Sequence, residues 1–211
     1  MKKKIVSVAL VVALVAIVAG GTLAYFTDTT ETAENVFTVG NVKIELTEPN
    51  WTSSGSEDAP EVYPGEALKK DPTVTNIGAN PCFVRVKVEG LDCLGDAGDI
   101  TYETGYVTGA LGTGWVLHED GYFYYTEPLC VKDTEGESWN EGLDDVTTPL
   151  FEQIRIPTGL TNGDGTAEFS VDVTAYAVQA QGAKPSWSDV KGMTVEEIAA
   201  WFDTCGMNPQ G

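Results

Sequence analysis

The residues able to do chemistry in this chain of 211 residues are few: one histidine, four cysteines and 32 Asp and Glu side chains. A single histidine, His118, excludes HExxH and every two-histidine zinc site built by one copy of the chain. His118 stands beside Glu119 and Asp120, but no GxSxG elbow accompanies it, so it reads as an exposed hairpin histidine and not as the base of a triad. Gly109, Gly112 and Gly114 lack a following Lys and Ser or Thr and open no helix, which argues against phosphate binding. No catalytic residue is expected, and the chain does not read as an enzyme.

Metal chemistry is weakly supported. Residues 92–103 begin with Asp92 and end with Glu103, as an EF-hand loop does, yet Leu94 and Ala97 fall where an oxygen ligand and a glycine belong. Asp96, Asp99, Asp164 and Asp172 remain as loop carboxylates for calcium, although aspartates next to glycine are also ordinary turn residues. Cys82, Cys93, Cys130 and Cys205 form an even set, which in an exported chain predicts two disulfides. The run FVRVKVEGLD between Cys82 and Cys93, if extended, holds them on the order of 30 Å apart, against a limit of about 7 Å between bridged Cα atoms. Two pairings stay open: Cys82 with Cys130 and Cys93 with Cys205, or Cys82 with Cys205 and Cys93 with Cys130. Buried free thiols are the alternative, and no CxxC spacing points to a metal.

Export is read from the N-terminus. Lys2, Lys3 and Lys4 precede an apolar run over residues 5–19, two glycines and Thr22-Leu23-Ala24, the layout of a signal peptide cut between Ala24 and Tyr25. An uncleaved anchor is the alternative, because residues 5–21 fall only slightly short of a membrane span. Cleavage removes three lysines and no acid, moving the formal charge from -20 to -23. Such a surface repels phosphate backbones and anionic headgroups, so nucleic acid is not an expected partner and the membrane is met only through the signal peptide before the cut. The closing GMNPQG carries no apolar tail and no sortase-type motif, so no anchor is expected there.

The elements that must position these residues are mostly strands. Residues 25–40 form an acidic arm with apolar ends, Tyr25 and Phe26 at one and Val36 and Phe37 at the other, and residues 41–211 form one domain. Alternation predicts strands at 41–47, around Val74, at 82–89 with Val84, Val86 and Val88 against Arg85, Lys87 and Glu89, at 150–156, and at 168–177. GWVLHEDGYFYYTEPLCV reads as a hairpin turning at Asp120-Gly121. Residues 92–114 look like a Gly- and Asp-rich connection with Tyr102 and Tyr106 as its large apolar candidates, and residues 51–60 and 132–148 like loops. One helix is expected over about 194–205: Thr194 and Glu197 make a capping box, Met193 and Ile198 a staple, and Ile198, Trp201, Phe202 and Cys205 share a face. The sum is an all-β, jelly-roll-like antiparallel sandwich with one short C-terminal amphipathic helix.

The join GTLAYFTDTTETAENVFTVGNVKIEL, followed by PGEALKKDPTVTNIGANPCFVRVKV, GWVLHEDGYFYY, TPLFEQIRI and VDVTAYAVQAQG, resembles the TasA/camelysin family. The resemblance implies a jelly roll, a SipW-type signal peptidase acting at Ala24, and a place in the extracellular matrix or at the cell surface of a monoderm bacterium. It also implies copies of the chain as partners in a biofilm fibre, with room for an accessory matrix protein, and a metalloprotease label that the residues do not support. The cysteines, the insert after Cys93 and the C-terminal helix depart from TasA itself. The expected function is therefore a secreted matrix subunit whose freed arm, through Tyr25, Phe26, Val36 and Phe37, adds as a strand to the next copy. A monomeric adhesin that binds glycans or cations is the alternative, and a camelysin-like metalloprotease a more distant one.

Overall fold

A computed structural model describes residues 42–55, 62–131, 142–160 and 169–206. The leader and the arm, including Ala24, Tyr25, Phe26, Val36 and Phe37, lie outside the described residues, all of which belong to the compact unit that begins at Gly40. In chain order the described elements are β1 (Ile44–Thr47), β2 (Ala67–Lys69), β3 (Thr73–Asn76), β4 (Cys82–Glu89), β5 (Thr101–Thr104), β6 (Val107–Thr108), β7 (Trp115–Leu117), β8 (Phe123–Tyr125), β9 (Gln153–Arg155), β10 (Asp172–Gln179), and helices α1 (Trp187–Lys191) and α2 (Val195–Thr204). The strands make an antiparallel ribbon, β1-β3, and two four-stranded antiparallel sheets in the orders β10-β4-β8-β7 and β2-β9-β5-β6. The chain is thus an all-β sandwich with a short helical C-terminal part, as its alternation predicts.

The pleat of β4 explains how the core is divided. Cys82, Val84 and Val86 point into the main core between the two sheets, where they meet Leu68, Ile154, Phe123, Phe151 and Trp115. Tyr102 of β5 closes on Phe123 of β8 edge to face at 5.8 Å. Phe83 points the other way, into a second core with Tyr122, Tyr124, Val178, Ile198 and Phe202. Alternation in β4 predicts Arg85 on a solvated face, but Arg85 is 0 % exposed. The reason is α2, whose buried Ile198 and Phe202 cover that face and contribute about 1.5–3 kcal/mol each through the apolar surface they remove from water.

The C-terminal helix forms where its capping box predicts. Thr194 Oγ1 accepts from the Glu197 amide at 3.3 Å, and Glu197 Oε2 accepts from the Thr194 amide at 3.0 Å. Cys205, expected on the apolar face, instead caps the helix and stays exposed. Trp201 ties the helix to β10 by donating its indole N–H to the Gln179 carbonyl at 2.8 Å. A second helix, α1, went unpredicted because it is a single short run capped by Ser186, without room for an apolar stripe.

Residues 92–114 hold the other departure. The Gly- and Asp-rich stretch contains strands β5 and β6, joined by Gly105 and Tyr106 in a tight hairpin. Apolar alternation does not mark β5 because Tyr102 turns to the main core while its neighbour on the opposite face is Glu103, buried and met by Arg155 of β9 through Nε at 2.5 Å and Nη2 at 3.0 Å. Gln153 donates to the same carboxylate at 2.6 Å, so the charge enters the protein with its acceptors used. At the other end of the sheet pair, residues 51–55, expected as loop, wind into one π-helical turn. Asp71 receives the Asn50 amide at 2.9 Å there, and Lys70 lies 4.9 Å above the Trp51 ring.

The hydrogen bond from Arg155 holds the Glu103 carboxyl below its usual range, against the opposing pull of burial. A lowered folded-state pKa adds stability above the unfolded carboxylate value, about 4.3, and that contribution is lost as pH falls from there through the folded value. Glu103→Gln should therefore lower the melting temperature at pH 7 by several degrees and flatten its fall as pH drops below about 4. Calorimetry across that range checks it, and an unchanged slope would contradict the assignment.

Candidate assembly edge

Two strands that follow each other in the chain each end a sheet: β6 ends β2-β9-β5-β6 and β7 ends β10-β4-β8-β7. Among the described residues no strand pairs with the outer side of either. In β7 the register is Trp115 with Tyr125, Val116 with Tyr124 and Leu117 with Phe123. The His118 amide donates to the Tyr122 carbonyl at 2.9 Å and the Thr126 amide to the Gly114 carbonyl at 2.8 Å. By the alternation of an antiparallel ladder, Gly114, Val116 and His118 then turn their main-chain groups to β8, while Trp115 and Leu117 turn theirs outward. The Trp115 amide is taken by Gly112 at 3.1 Å, which leaves the N–H and C=O of Leu117 as the outward pair of β7. Its side chain is 51 % exposed, next to an exposed Val116.

The β5-β6 hairpin presents a second apolar feature. Gly105 and Tyr106 have φ of 59° and 64°, the positive values that a two-residue turn of this hand requires. For tyrosine that conformation costs roughly 1–2 kcal/mol, and the ring it carries is 84 % exposed, beside Val107 at 61 %.

Behind β7, residues 118–122 close the hairpin through a chain of polar contacts. The Gly121 amide donates to the His118 carbonyl at 3.0 Å, and Gly121 takes the positive φ of 78° that the Asp120-Gly121 turn needs. Asp120 Oδ1 accepts from the Tyr122 amide at 3.0 Å and lies 3.0 Å from His118 Nδ1, while Asp120 Oδ2 accepts from the Tyr124 hydroxyl at 2.8 Å. Burial works to raise the Asp120 carboxyl, but the hydrogen bonds from Tyr122, Tyr124 and His118 outweigh it and hold Asp120 below the usual carboxylate range. Burial and the bond to Asp120 push Tyr124 up to about 12, although its hydroxyl also accepts from Arg85 Nη1 at 3.0 Å. The Arg85 guanidinium then sits over four rings: Tyr122 at 4.0 Å, Phe202 at 4.6 Å, Tyr176 at 5.6 Å and Tyr124 at 5.9 Å. His118 is thus part of the scaffold of a turn, with its ring 5.5 Å from that of Tyr124.

Residues 1–87 match the family model described as camelysin metallo-endopeptidase. Over that stretch the chain is similar to the camelysin family. The match covers 87 of the 211 residues, running through most of β4. No curated protein and no solved structure gives a match. The camelysin description names a metallo-endopeptidase, whose metal needs a converging ligand set. Among the described residues no three His, Cys, Asp or Glu side chains converge to hold an ion, and His118, the lone histidine of the sequence, is engaged with Asp120. Among the described residues no ligand set fits a catalytic zinc.

The other residues picked out by sequence are scattered. Asp96 lies in a 3-10 turn, Asp99 before β5, and Asp172 at the start of β10, where it accepts from the Ser170 hydroxyl at 2.8 Å; Asp164 is outside the described residues. Among the described residues, Asp96, Asp99 and Asp172 are not brought together. All four cysteines are free thiols, with Cys82 and Cys130 buried and Cys93 and Cys205 exposed. Cys82 exchanges both main-chain hydrogen bonds with Leu129, the neighbour of Cys130. Burial pushes the Cys82 thiol up to about 12, with Cys130 adding to the rise. Of the exposed apolar residues here, Val116, Leu117 and Val107 are not singled out by sequence, and Tyr106 is marked there only as a large apolar candidate. The signal available was Val116-Leu117, two adjacent apolar residues in a hairpin arm, one of which must face outward.

The thiols divide cleanly by accessibility. Iodoacetamide at pH 8 on the folded, reduced protein should label Cys93 and Cys205, with Cys82 and Cys130 labelled only after denaturation. Peptide mass mapping reads the sites, and fast native labelling of Cys82 would contradict the burial assigned to it.

Proposed function

We propose that this chain is a secreted structural protein of an extracellular or biofilm matrix whose copies join by strand addition. In this reading a SipW-type peptidase cuts after Ala24, and the segment from Tyr25 to about Phe37 lies along β7 of the next copy. The open, apolar and uncharged edge at Trp115, Val116 and Leu117 is the observation that carries it. A strand laid there would pair with the outward N–H and C=O of Leu117, and its alternate side chains would set the register. Thirteen extended residues span about 43 Å, enough to run past the whole of β7 and place the apolar pairs at both ends of the arm, Tyr25 with Phe26 and Val36 with Phe37, against a neighbour. The cut makes the segment available, so processing and assembly are one event.

Tyr106 favours a second reading, a monomeric adhesin. An aromatic ring held in a costly turn and directed at solvent suits stacking on a sugar face. Light scattering that gives a monomer at all concentrations, with retention on a glycan array that Tyr106→Ala abolishes, would move the assignment there.

The direct test is electron microscopy of the mature protein beside two variants, one lacking residues 25–36 and one carrying Leu117→Lys. A lysine on an edge strand blocks pairing by placing a charge against the incoming chain. Fibres should form from the mature protein and fall at least about tenfold in both variants, with far-ultraviolet circular dichroism unchanged. Fibres as abundant in the truncated protein as in the mature one would sink the proposal.

A further inference from the structure

We infer that helix α2 controls the β7 edge through Arg85, so that the edge takes its shape only after the last element of the domain has docked. The consequence for assembly rests on the strand-addition reading; the coupling itself does not. Hairpin β7-β8 is joined to the rest of its sheet by just two registered pairs, Arg85 with Tyr124 and Val86 with Phe123. Two pairs are little to hold a three-stranded arrangement at a sheet margin. The inner face of the hairpin packs into the main core through Trp115 and Phe123, and a further hold comes from the opposite face. There the Arg85 guanidinium is gripped between the Tyr122 ring at 4.0 Å, which closes the hairpin loop, and the Phe202 ring at 4.6 Å, which belongs to α2. Phe202 also meets Tyr124 edge on at 5.7 Å.

The direction of control follows from the energetics of a buried cation. With α2 in place, water is excluded and the guanidinium must satisfy itself on the rings and on the Tyr124 hydroxyl, which in turn fixes Asp120 and the turn at 118–122. With α2 away, water reaches Arg85, and the rings of Tyr122 and Tyr124 lose the partner that orders them. Helix α2 has its own ties to the domain, the Trp201 bond to β10 and an ion pair between Lys184 and Glu197, so it does not need the hairpin in order to dock. The charges that face residues 118–122 are Glu196 from α2 and Arg85, Lys87 and Glu89 from β4; the Lys87 ammonium donates to the Gly121 carbonyl at 3.2 Å. Chain order then makes the edge a late feature: α2 follows every strand in sequence, so an acceptor edge would be completed after the sandwich it belongs to.

Amide hydrogen exchange on the mature protein tests the coupling without any fibre being present. The reporters are the amides of His118, Gly121 and Tyr122, with Gln153, Ile154 and Arg155 of β9 as a distant control. Phe202→Ala should speed exchange at the loop reporters at least about tenfold while β9 changes by less than about twofold. If Phe202→Ala fails to fold, Tyr124→Phe, which keeps the ring and removes the link between Arg85 and Asp120, should give the same pattern at smaller amplitude. Restoring a ring by Phe202→Tyr should recover protection, which lost packing alone would not require. Loop amides as slow in both Phe202→Ala and Tyr124→Phe as in the parent would overturn the inference. So would fibre growth at the parental rate from protein whose loop exchanges fast. A parent that makes no fibres at all removes the strand-addition reading and leaves the coupling to be decided by exchange alone.

Discussion

The structure depends on how one positive charge is kept inside it. Arg85 occupies the middle of the longest paired strands, β4 and β10, on the face away from the main core, and it is fully buried. A buried guanidinium left in an apolar setting costs several kcal/mol, so the fold must supply a substitute for water. It supplies rings from β8, β10, the hairpin loop and α2, together with the Tyr124 hydroxyl. Each of these groups therefore has a reason to be where it is that goes beyond the apolar area it buries. Alanine at position 85 would remove the cost and the organising centre together.

Glu103 is the same problem solved by the opposite means. Its carboxylate is buried between β9 and β6 and is satisfied by a fork from Arg155, an amide from Gln153 and contact with Thr108. Every partner there is polar, and Arg155 reaches partly into solvent, so the pair is a local staple across one sheet. The Arg85 site has four rings and spans a sheet, a turn and a helix, so a change in any one of them is felt by the others.

Much of the fold is legible in local pattern because local physics determines it. The alternation of Val84, Val86 and Val88, the Asp120-Gly121 turn and the Thr194 to Glu197 capping box all find their elements, since each depends on neighbours a few residues away. What cannot be read locally is where a face comes to rest. Arg85 alternates with valines as a solvated residue does, and only the landing of α2 some 110 residues later buries it. Strand β5 is hidden for a related reason: Glu103 is buried on the face away from the main core on the strength of a partner 52 residues away. The candidate edge is the least legible of all. Whether β7 is central or marginal is a property of the whole sheet order, and its sequence hints at the answer only through the break in alternation at Val116-Leu117.

The strand-addition proposal must also meet the charge of the chain. Copies cut after Ala24, with a formal charge of -23 once the three leader lysines are lost from -20, repel each other, and Asp28, Glu31 and Glu34 of the arm are part of that charge. At physiological salt that repulsion is screened beyond about 8 Å, so it acts on close approach, where an open edge is at greatest risk of pairing with any exposed strand. Acidic surface and apolar edge are then complementary devices. The charge raises the cost of every approach, and only a contact that returns main-chain hydrogen bonds together with apolar burial offsets it. At the β7 edge the exposed side chains, Val116 and Leu117, carry no charge of their own, so an incoming segment meets the long-range cost without a local one. A chain this acidic can keep an edge open in solution because the same repulsion that protects it is weakest where the right partner must fit.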